Sequence, residues 1–95
     1  MKPWTEILDK YNCGDLVEGI VIRHRDFGIF LDIGEEGVSG LIEIVHFLDK
    51  ESMDPSNYPV IGSKIAGVII SFHDDNRQIR LSVRPSDIAA APNWK

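Results

Sequence analysis

Cysteine is nearly absent: Cys13 stands alone among 95 residues. An intramolecular disulfide is therefore excluded, and no Cys-based zinc site can be built. Long apolar runs are absent too, and none approaches the ~20 residues a membrane-crossing helix needs. No N-terminal signal segment is visible, so a cytoplasmic setting without a membrane partner is expected. Positive charge is scarce, with ten Lys and Arg against fifteen acids for a net charge of -5. Non-specific phosphate binding scales with the cations brought to the backbone, so such a chain binds nucleic acid only through a local patch. Repeats and low-complexity stretches are also missing.

What is present is enough for one folded domain. The apolar fraction is 43%, which supports a modest core and is too high for a disordered chain. Pro3 opens a short helix whose stripe is Trp4, Ile7, Leu8 and Tyr11; Asn12 and Gly14 stop it. Five β segments follow: Val17 to Arg25, Phe27 to Ile33, Val38 to Ile44, Lys64 to Phe72 and Arg77 to Val83. Ile29, Leu31 and Ile33 share one face of the second. A bulge at Gly28 would bring Phe27 round to the side of Phe30. His46 to Val60 is the longest connection, broken by turns and one short helical piece. Residues 85 to 91 read as a helical tail, with Pro92 as its stop and Trp94 as a last apolar anchor. Five short strands with glycines at bend points fit a closed barrel, which leaves no edge unpaired.

The first and fourth segments are apolar on both faces, through Ile20, Val21 and Ile22 and through Val68, Ile69 and Ile70. A half-solvated strand alternates more cleanly. The helix, the tail or another protein is therefore expected to cover the outer face.

The segment Asp26-Phe27-Gly28-Ile29-Phe30, just after Arg23 and Arg25, carries the most information about function. Two aromatics and two guanidiniums on a barrel form the kind of surface on which nucleic-acid bases stack. The competing reading packs one or both rings under the helix or a loop. Arg23, Arg25, Arg77, Arg80 and Arg84 form either a basic patch or ordinary salt bridges with Asp26, Asp32, Glu43, Asp74 and Asp75. His24 has no ligand spacing to another His or Cys, so no metal or cofactor is expected. Glu18, Glu35, Glu36 and Glu43 form no recognisable catalytic pair, and no nucleophile stands beside a base. A non-enzymatic role follows.

Gly14 to Pro85 resembles an S1 domain, a five-stranded OB-fold barrel. The resemblance rests on Gly14-Asp15-Leu16-Val17-Glu18-Gly19-Ile20-Val21, Asp26-Phe27-Gly28-Ile29-Phe30-Leu31 and Glu36-Gly37-Val38-Ser39-Gly40-Leu41-Ile42. Val60-Ile61-Gly62-Ser63-Lys64-Ile65 and Arg77-Gln78-Ile79-Arg80-Leu81-Ser82 complete it, in the family's order and spacing. It implies an all-β barrel over residues 14–85, a helical extension over 1–13 and a tail over 86–95. It also implies a module that binds single-stranded RNA in translation or RNA processing. Phe27 and Phe30 occupy the places of the family's two RNA-facing phenylalanines. Asp74 or Asp75 matches the aspartate of the last turn. Glu43 stands where the family usually carries histidine. Gln78 stands where an arginine is usual, with Arg77 beside it. A carboxylate accepts hydrogen bonds and repels phosphate, so Glu43 either pairs with Arg80 or Arg77 or accepts from a base edge. Some S1 domains serve in protein contacts. The alternative is therefore an adaptor on this scaffold that self-associates or holds a basic protein of the ribosome or RNA-processing machinery.

Overall fold

A computed structural model describes residues 1–91; the expectations for Pro92 and Trp94 lie outside them. Helix α1 (Trp4–Lys10) precedes strands β1 (Leu16–Arg25), β2 (Gly28–Asp32), β3 (Ser39–Glu43), β4 (Lys64–His73) and β5 (Gln78–Ser82), and helix α2 (Pro85–Ala89) follows. Two 3-10 turns, Ile44–His46 and Pro55–Asn57, lie between β3 and β4, and a third, Asp74–Asn76, joins β4 to β5. The strands close in the order β1-β2-β3-β5-β4. All pairs are antiparallel except β3 with β5. The architecture is the five-stranded OB barrel expected from the sequence.

Two long strands make the closure possible. The first half of β1 pairs with β4 and its second half with β2, with an irregularity between Val21 and Arg23. Strand β4 does the same between β1 and β5, with its irregularity between Ile69 and Ser71. An extra residue bends a strand and raises its twist, which turns one sheet into the next. The bulge therefore sits in β1, opposite Phe30, rather than at Gly28. Gly28 serves a different need. A Cβ there would lie 2.3 Å from the Ile42 carbonyl oxygen, so only glycine allows β3 to approach so closely.

Val21, Ile29, Leu31, Ile42, Ile69, Ile79 and Leu81 fill the barrel, joined by Ile7 of α1 and by Phe47 and Tyr58 of the long connection. α1 closes one barrel end. Trp4 meets Phe72 edge to face, its indole N–H donates to Asp74 Oδ1 at 2.6 Å, and the Arg77 guanidinium lies over its ring. Tyr11 Oη donates to Glu35 Oε2 at 2.6 Å, and the Lys10 ammonium donates to the same oxygen. Hydrogen bonds from Lys10 and Tyr11, together with the charges of Lys10 and Lys2, hold the Glu35 carboxyl down at about 2.

The doubly apolar strands have a mixed resolution. Val68 is buried, and α2 packs along β4. Ile20 and Ile22 on β1 stay exposed, as do Val60 and Ile61. The loop bearing those two residues runs beside β1, where Gly62 N–H donates to the Val21 carbonyl. No helix among the described residues is long and apolar enough to cross a membrane.

Candidate nucleic-acid interface

The β1–β2 hairpin turns on Asp26 and Phe27 alone, because Arg25 pairs directly with Gly28. Three contacts brace this tip from the core side. Ile44 N–H donates to the Phe27 carbonyl at 2.7 Å, Tyr58 Oη donates to the Asp26 carbonyl at 3.3 Å, and His24 Nε2 meets the Pro59 carbonyl at 2.7 Å. With its backbone held, Phe27 projects a ring that is 52% exposed. Phe30 is half-buried beside it. The two ring centroids are 5.9 Å apart and the planes perpendicular, the edge-to-face geometry that aromatic quadrupoles favour.

Ladder register places the neighbours. Phe30 lies opposite Arg23 on one side and Leu41 on the other, and Leu41 lies opposite Arg80. Directly opposed residues share a face, so Arg23, Phe30, Leu41 and Arg80 form one row across the outside of the barrel. Leu41 is only 2% exposed and is not part of the barrel core. It is the buried member of that row, between Phe30 and Arg80. Sequence reading missed this role, because a Gly-Leu-Ile run looks the same whether its leucine points in or out.

Arg23 and Arg25 are exposed and pair with no carboxylate among the described residues. Asp26 shares their hairpin tip. Arg80 is differently placed: its Nη1 lies 3.2 Å from Glu43 Oε1, and its Nε donates to Gln78 Oε1. Gln78 is buried and presents no amide to solvent. His46 Nδ1 approaches the same Glu43 oxygen at 3.6 Å. Glu43 faces Gly28 across the β2–β3 ladder, so no side chain on that row separates it from the phenylalanine platform.

Asp74, Asp75 and Arg77 sit at the opposite end of the barrel, beside α1. Arg77 adopts a left-handed conformation, with φ at 50°. Its guanidinium donates to the Lys2 carbonyl at 2.6 Å and the Gly37 carbonyl at 3.2 Å. Asp74 accepts from Trp4, and Asp75 is exposed in the same turn. The fold therefore gathers Phe27, Phe30, Arg23, Arg25, Glu43 and Arg80 on one side. It sets Asp74, Asp75 and Arg77 apart, and Gln78 reaches the group only through Arg80. Arg84 pairs with Asp87 at 2.8 Å. Asp87 also accepts from Ser82, and these two bonds keep its carboxyl below the usual carboxylate range.

The model of the S1 RNA binding domain family matches residues 10–84. This chain belongs to that family. Among curated relatives, it is 37% identical over 82 residues to 4-hydroxy-3-methylbut-2-enyl diphosphate reductase of Clostridium acetobutylicum, covering 86% of this chain and 13% of the relative. It is 33% identical over 92 residues to small ribosomal subunit protein bS1 of Helicobacter pylori, covering 90% of this chain and 16% of that protein. The chain thus spans under a fifth of either relative. The solution structure of GSP13 from Bacillus subtilis superposes with a TM-score of 0.69 at 22% identity, covering 90% of this chain and 63% of that one. This S1 domain is an OB-fold module of the nucleic-acid- or macromolecule-binding kind.

Proposed function

We propose that this S1 domain is a non-catalytic module that binds single-stranded RNA across the outer faces of β1, β2 and β3, in the cytoplasm and in translation or RNA processing. Bases stack on Phe27 and Phe30, and phosphates meet Arg23 and Arg25. The observation that carries this reading is the braced Phe27–Phe30 pair, with Phe27 open to solvent, beside two guanidiniums that have no carboxylate partner among the described residues. Stacking is worth ~1–3 kcal/mol per base. With so few cations, affinity is weak and sensitive to salt. The likeness to a ribosomal protein supports the setting in translation.

Fluorescence anisotropy with a labelled single-stranded RNA tests the reading. Binding that weakens with salt at a slope of about −1.4, the release expected from two phosphates on a single strand, supports it. Binding that is unaffected when Phe27 and Phe30 are both replaced by Leu defeats it.

A second reading is favoured by one observation. Ile20 and Ile22 on β1, and Val60 and Ile61 in the loop beside it, are exposed apolar side chains, and exposed apolar surface marks an interface when it is contiguous. An adaptor holding a basic protein or a second copy would use it. A strictly monomeric mass at high concentration, with no partner surviving RNase treatment, would remove this alternative.

A further inference from the structure

We propose that Glu43 reads the base seated on the Phe27–Phe30 platform and selects guanine. This rests on the RNA-binding reading and adds a base preference to it.

The argument begins with position. Glu43 ends β3 directly across from Gly28, and the next residue, Ile44, donates its N–H to the Phe27 carbonyl. Glu43 therefore lies one row from Phe30 on the same outer face, and its cross-strand neighbour on β2 is a glycine with no side chain to intervene. Its side chain is about one-third exposed, at 34%. Both close contacts of the carboxylate, to Arg80 at 3.2 Å and His46 at 3.6 Å, use Oε1. Oε2 has no partner among the described residues. Arg80 is itself tethered through Gln78, so it orients the group and offsets its charge. The result is a half-buried carboxylate held from one side by Arg80, with a second oxygen that no described group engages, on the same outer face as the platform.

A carboxylate only accepts. Guanine alone offers two adjacent donors, N1–H and the N2 amino group, on its Watson–Crick edge. Adenine and cytosine set one amino group beside a ring nitrogen that repels a carboxylate. Uracil flanks its single N–H with two carbonyl oxygens. These edges are free only in unpaired RNA. A good two-donor contact discriminates against the wrong base by on the order of tenfold or more.

The test uses the full chain and uridine octamers carrying one central guanosine, adenosine, cytidine or inosine, measured by anisotropy at about 50 mM salt. A single guanosine avoids quadruplex formation. Inosine keeps N1–H and lacks the N2 amino group. The expected result is tightest binding to the guanosine octamer, by on the order of tenfold over adenosine, with inosine between. Glu43→Gln should bind all four within about twofold of one another, because an amide presents a donor as well as an acceptor. Equal binding of all four octamers by the unaltered chain would overturn the guanine assignment and leave the RNA reading standing. A guanosine preference that survives Glu43→Gln would also overturn it. Failure to bind any octamer would remove both.

Discussion

Glu43 holds Arg80 by an ion pair across the parallel β3–β5 ladder, with Oε1 and Nη1 3.2 Å apart. One of the three guanidiniums near the phenylalanine platform is thus neutralised at rest, and the acidic balance of the chain acts locally at the candidate site. Replacing Glu43 with Ala should release Arg80. Affinity for an RNA without guanine should rise by a few fold at low salt, and the salt slope should steepen by about 0.7. Thermal stability should fall by less than ~1 kcal/mol, since the pair is only partly buried. A salt titration by anisotropy checks the first effects, and urea unfolding the last.

The two phenylalanines should separate binding from stability. Phe27→Ala removes an exposed ring and should weaken RNA binding by ~1–3 kcal/mol. It should cost folding no more than ~1 kcal/mol, the scale of a lost aromatic pair. Phe30→Ala removes a half-buried ring opposite Leu41, so it should weaken binding and also give the larger loss of stability. Parallel anisotropy and urea denaturation on both variants would show whether the two effects divide in this way.

Gly28→Ala should be strongly destabilising although it adds a single methyl group. The new Cβ would meet the Ile42 carbonyl oxygen and the Glu43 Cα, both backbone atoms that cannot swing aside. Separation of β2 from β3 costs ~1–3 kcal/mol or more, in line with overpacked cores. The expected observation is a lower urea midpoint with an unchanged m-value.

Acid should loosen α1. Glu35 has an ordinary carboxyl value of 4.5, and the folded state lowers it to about 2. Its contribution to stability is therefore complete above pH 4.5 and is lost as pH falls from 4.5 toward 2. Asp54 and Asp87 are lowered as well, so the wild-type slope alone does not isolate it. Glu35→Gln should be less stable than the parent at neutral pH, and the gap should close across that acid window. Thermal unfolding followed by circular dichroism over pH 6 to 2.5, in steps of about 0.5, measures it.

Much of the fold was legible in the sequence. Glycine-punctuated strands in a fixed order led to the barrel, and each observed strand end lies within one residue of the expected one. The bulge was placed wrongly because it depends on which two strands β1 must join, and local alternation carries no record of that. The surplus apolar residues of β1 and β4 looked alike, yet α2 lies along β4 while Ile20 and Ile22 remain open. Only tertiary packing separates the two cases. In the sequence Glu35 is only one of several acids without a catalytic partner, because Lys10 and Tyr11, which bind it, are distant in the chain. Of the arginines, Arg77 and Arg80 are close in sequence. A left-handed turn sends Arg77 to α1, and the β5 ladder keeps Arg80 beside Glu43.

The most direct test of the central claim is an amide chemical-shift titration of the full chain with a short single-stranded RNA at low salt. The account expects the largest shifts at Arg23, Arg25, Phe27, Gly28, Phe30 and Glu43, fading as salt is raised. Shifts confined to the α1 end around Asp74 and Arg77, or no shifts at all, would contradict it.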